Sequence, residues 1–171
     1  MMRPTRLRRL AALAISAALA GASASAAIAA CPIELAVYGD RDGAAELDFT
    51  PTMGAATVTN TFKMLLDNDI VLDGIVQWTE EVGRPYGMLM HKCPEGDVTG
   101  AEMEACTAWQ GVVYTADATG TIGLLPAEGG EAPKTLLLAD LAPALRQSSA
   151  YGVGGFSKLP SDVFALKGCQ E

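Results

Sequence analysis

Thr57-Val58-Thr59-Asn60-Thr61-Phe62-Lys63-Met64-Leu65-Leu66, then Asp67-Asn68-Asp69, then Ile70-Val71-Leu72-Asp73-Gly74-Ile75-Val76-Gln77-Trp78-Thr79, is the stretch on which the fold turns. Alternation places Val58, Phe62 and Met64 on one side and Thr57, Thr59, Thr61 and Lys63 on the other, the pattern of a half-buried strand. Val58, Phe62, Leu65 and Leu66 also fit one face of a helix, so periodicity alone leaves both open. The β-branched Thr57, Val58, Thr59 and Thr61 decide for strand, since such side chains pack well on a pleated surface. Asp67-Asn68-Asp69 turns the chain, and 70–79 returns it with Val76 and Trp78 on one side and Ile75 on the other.

The same reading extends outward. Residues 35–39 and 46–49 flank the acidic turn Asp40-Arg41-Asp42-Gly43, and 86–91 is a further strand after the loop 80–85. A hairpin joins 109–116 to 121–125 across Asp117-Ala118-Thr119-Gly120. Residues 134–138 and 163–166 complete the strands. Thr99-Gly100-Ala101-Glu102 matches a capping box and predicts a short helix over 100–108. Asp140 is expected to cap a second short helix through Gln147, with Pro143 in its first turn. Tyr151-Gly152-Val153-Gly154-Gly155 reads as a flexible connection. The expected fold class is α+β: one domain, mainly antiparallel β-sheet with one or two short helices.

The first thirty residues have another purpose. Arg3, Arg6, Arg8 and Arg9 form a basic head, 10–21 is an uncharged apolar run, and 22–30 is almost entirely small residues. This is the pattern of a secretory signal peptide, and it leaves 31–171 as an exported, periplasmic or secreted domain. Ile28-Ala29-Ala30-Cys31 also resembles a bacterial lipobox, which implies a lipid anchor on Cys31. Pro32 after the cysteine, and the odd thiol that lipidation would leave, favour simple secretion.

Cys31, Cys93, Cys106 and Cys169 are an even set in an exported chain and read as two disulfides. Three connectivities are open. Cys93–Cys106, closing a short loop, and Cys31–Cys169, tying one end of the domain to the other, are preferred. No CxxC or CxxCH is present, so zinc-ribbon, thioredoxin-type and c-type haem sites lack their signature.

Residues 31–171 carry eight basic and all twenty acidic side chains, a formal −12. Nucleic acid is excluded as a partner, because that affinity comes from basic groups meeting phosphates. His91 is the only histidine. With Met88, Met90 and Cys93 it suggests a soft Cu(I) site, but alternation puts the methionines on one strand face and His91 and Cys93 on the other. Asp40, Asp42, Glu46 and Asp48 lack the ligand spacing of a calcium loop. Asp67 and Asp69 are read in the same way, as a solvated turn. The serines, Ser148, Ser149, Ser157 and Ser161, stand in no GxSxG context.

No catalytic, cofactor-binding or metal-binding residues are therefore assigned, and no cofactor is expected. Trp78, Arg84 and Tyr86, around the loop 80–85, are the candidate binding surface, being residue types favoured at contact hot spots. The expected function is a non-enzymatic exported binding or structural domain, its partner an envelope protein or a small molecule. The alternatives are a small periplasmic hydrolase with paired carboxylates and, behind it, a copper carrier.

Overall fold

The computed structural model describes residues 31–54, 57–78 and 83–170. The signal-peptide reading, residues 28–30 of the lipobox reading and residues 80–82 of the loop 80–85 lie outside them. After a 3-10 turn at Ile33–Leu35 the strands are β1 (Ala36–Asp40), β2 (Ala45–Thr50), β3 (Val58–Leu66), β4 (Val71–Trp78) and β5 (Pro85–Met90). Helix α1 (Gly100–Cys106) leads directly into β6 (Thr107–Ala116). β7 (Ile122–Leu124), β8 (Thr135–Leu138), α2 (Leu141–Gln147) and β9 (Val163–Cys169) follow.

All the strands belong to one antiparallel sheet, in the order β5-β4-β3-β2-β1-β9-β8-β6-β7, and β5 also pairs with β6. That last pairing closes eight strands into a barrel, which is more specific than the open description drawn from the sequence. The first half of β6 pairs with β5 and its second half with β8. β7 folds back onto β6 beyond the end of β5.

Period-two burial runs through the strands, as in the BiBiBi pattern of β2 and β5. Tyr38, Phe49, Phe62, Leu72, Leu89, Trp109, Leu136 and Phe164, one from each barrel strand, are at most 3% exposed. Eight strands enclose a lumen just wide enough for side chains to fill, and here they fill it. The Phe49 ring stacks on Phe62 at 5.0 Å and meets Tyr38 edge-on at 5.7 Å. Gly74 lies under Phe62, where a Cβ would come within 2.5 Å of the ring.

Both ends are stoppered. At one, Ile33 and Ala132 are buried, Ile33 N–H donates to Gly130 O, and the Tyr38 hydroxyl donates to Pro133 O at 2.9 Å. At the other, Leu141 and Leu145 of α2 and Phe156 are fully buried. Cys31 is bonded to Cys169 at the first end and Cys93 to Cys106 at the second.

Three local expectations change. Helix α1 stops at Cys106 because Thr107 and Ala108 are drawn into the β6 pairing with β5. Asp140 sits at the N-cap of α2 in the left-handed region (φ 58°) and its side chain caps nothing; the Asp162 carboxylate does so instead. The glycine-rich 151–155 stretch is not loose. Buried Phe156 anchors it against Tyr151, the ring centroids 5.3 Å apart, and its N–H donates to Ala150 O.

Candidate functional site: an uncharged outer sheet face

With the lumen full, chemistry and recognition fall to the outer surface, which divides into two unlike halves. On β2, β3 and β4 the outward positions include a cluster of charges, Glu46, Asp48, Lys63 and Asp73, among uncharged neighbours such as Thr61 and Val71. Asp48, Lys63 and Asp73 lie side by side in register, and Lys63 Nζ bonds Asp73 at 2.7 Å. Lys167 from β9 crosses over Gly39 to bond Glu46. Asp48 is left between these pairs, with its Oδ1 buried and meeting no donor. Burial and the neighbouring Glu46 hold the Asp48 carboxyl above the usual range, against the pull of Lys167.

On the other half two cross-strand rows are built of uncharged residues, with Lys167 outward at the far end of β9 and Arg84 reaching in at Tyr114. Val163, Leu137, Tyr114 and Leu124 form one cross-strand row over β9, β8, β6 and β7. Ala165, Thr135, Ala116 and Ile122 form the next. Val163 is 45% exposed, Leu124 40% and Ile122 58%. Tyr114 sits in the middle, its hydroxyl accepting from Arg84 Nη1 at 2.8 Å. A shallow cleft of about 450 Å³ borders the second row and adds Asp117, Glu131 and Lys134.

Of the residues singled out in the sequence, Arg84 reaches this face through Tyr114. Tyr86 points outward on β5, in register with Val112. Trp78 pairs with Pro85 at the end of β4 and is 44% exposed, on the alternate side of the sheet from Tyr86. The three do not make one continuous surface. Tyr114, Leu124, Leu137 and Val163 were not singled out. Each looks like an ordinary strand residue, and only the register aligns them.

The remaining candidates are accounted for by structure. Asp40 is buried, and its carboxylate accepts from the N–H groups of Asp42, Ala44, Ala45 and Ser161. It organises the β1–β2 turn and is not presented to an ion. Asp67 accepts from the N–H and hydroxyl of Ser157, bonds that lower its pKa. Cys93 is bonded to Cys106, so the set Met88, Met90, His91 and Cys93 has no thiolate to offer. Among the described residues no group of three His, Cys, Asp or Glu side chains is placed to hold a metal ion. His91 shares a shallow cleft with Lys92 and Glu102; burial, then Lys92, lowers its pKa, while Asp73 opposes them.

The chain matches no family model, no curated protein and no solved structure.

Proposed function

We propose that this chain is a non-enzymatic, exported, disulfide-tied barrel that binds a partner or serves a structural role through its outer surface. The observation that carries this reading is the filled lumen. Side chains from all eight strands occupy the space where a barrel of this size would otherwise hold a small ligand. The two disulfides fit an oxidising compartment. No helix among the described residues is long and apolar enough to cross a membrane. The two uncharged rows over β9, β8, β6 and β7 are the contact surface.

A photo-crosslinking residue at Leu124, in the protein expressed in its own envelope, should give adducts. The same residue at Val71, 39% exposed on β4, should give none. Equal labelling from both positions, or none from either, overturns the reading.

One observation favours the hydrolase alternative. Glu46 and Asp48 share an outer face, Glu46 bonded to Lys167 and Asp48 with its carboxyl pushed up by burial and by Glu46, and two carboxylates in unlike surroundings are the starting point for acid and base roles. That reading requires turnover of chromogenic glycosides that is lost in Asp48→Asn.

A further inference from the structure

We infer that the Cys93–Cys106 disulfide is a site of thiol–disulfide exchange, where a dithiol opens the bond and frees residues 94–105 from a barrel that stays closed.

The segment has little else to order it. No residue from Lys92 to Ala105 is buried, and Val98 and Met103 are only half-buried. Cys106 is the one buried residue of α1. Among the described residues, the hydrogen bonds of 94–105 stay inside the segment or reach Cys106 and Thr107 directly after it. A helix as short as Gly100–Cys106 does not persist in water unaided. Beyond the segment the chain is held differently. Met90 pairs with Thr107, and His91 N–H donates to Cys106 O at 2.8 Å, so the release stops where β5 and β6 begin.

The other disulfide frees no such segment. Beside it Ala132 N–H donates to Cys31 O and Gln170 N–H donates to Leu35 O, both at 2.7 Å. Both chain ends therefore stay on the barrel whether or not that bond is intact. Loop entropy is regained by opening Cys93–Cys106 alone, which makes it the more readily reduced of the two.

The bond is also within reach. Cys93 is half-buried on an exposed loop, and Cys106, 8% exposed, lines a cleft of about 410 Å³ with His91, Lys92 and Glu102. One thiolate of the dithiol attacks Cys93 Sγ, and the Cys93–Cys106 bond breaks as the mixed disulfide forms. Cys106 leaves as a thiolate into the cleft it shares with Lys92, a cation that favours that charge. The Glu102 carboxylate is turned away from it, accepting from the Thr99 N–H and hydroxyl at 2.9 and 2.7 Å. The second thiolate of the dithiol then attacks its own sulfur in the mixed disulfide and displaces Cys93. The dithiol is oxidised by two electrons and the protein disulfide is reduced by two. The two thiol protons pass through water to Cys93 and Cys106.

Equilibration of the folded protein in dithiothreitol buffers of graded reduced-to-oxidised ratio, followed by alkylation and peptide mass mapping, reads which bond opens. Cys93 and Cys106 should be half-alkylated at a ratio at least ~10-fold lower than Cys31 and Cys169. Hydrogen exchange at that ratio should show 99–105 losing protection while β1 and β4 keep theirs. Cys93→Ser/Cys106→Ser should show the same pattern with no reductant present. Opening of Cys31–Cys169 first, or at an equal ratio, overturns the inference. So does an α1 that keeps its protection with the bond open, or protection lost throughout the barrel at once.

Discussion

The carboxylate of Asp162 caps helix α2, accepting from the N–H groups of Asp140 at 3.0 Å and Leu141 at 3.1 Å, while the Asp140 side chain makes no cap bond. The cap thus comes from the residue just before β9, and it ties the helix that closes one barrel end to the strand that pairs with β1. Asp162→Ala should cost about 1–2 kcal/mol, the usual loss for a removed cap. Asp140→Gly should cost nothing, because the left-handed backbone there suits glycine. Urea unfolding of the two variants measures both, and the opposite order of stabilities would show that Asp140 is the cap.

Asp40 organises its turn in the same way, as a buried acceptor for several backbone donors. Asp40→Ala strands those donors, and about 3 kcal/mol of stability should be lost. Calcium added in excess to the wild-type chain should leave its unfolding midpoint where EDTA leaves it. A calcium-dependent rise abolished by Asp42→Ala would restore an ion to this turn.

The disulfides should contribute unequally. Cys31–Cys169 spans 138 positions and Cys93–Cys106 spans 13. In the chain-entropy account these loops correspond to about 5 and about 3 kcal/mol. The Cys31→Ser/Cys169→Ser pair should therefore unfold at distinctly lower urea than Cys93→Ser/Cys106→Ser. Alkylation of the unreduced chain should find no free thiol.

Asp48 gives a pH signature. Its folded pKa is raised, by burial first and Glu46 second, so the folded chain binds that proton more tightly than the unfolded chain. Its contribution to stability then falls as pH rises from the ordinary aspartate range through the raised folded value. Asp48→Asn should be more stable than wild type near pH 7, and the advantage should vanish as the pH drops below the ordinary aspartate range. Unfolding midpoints across that span test it; a difference that does not change with pH would mean that the gain does not come from titration.

What the sequence determined by itself was local. Alternation in Thr57–Trp78 made strands, since side chains two apart share a face. Thr99 and Glu102 made a capping box because its donors and acceptors lie three residues apart. The even cysteine count was legible too, since two disulfides need four cysteines. Closure was not. That β5 pairs with β6, and that β6 divides its edge between β5 and β8, follows from strand tilt and stagger summed around the whole sheet. The same global register decided the candidate surface. Val163, Leu137, Tyr114 and Leu124 are spread over 50 positions of chain and become neighbours only when four strands align. Asp162 replaced Asp140 as the cap because a residue distant in sequence reached the open helix end in space.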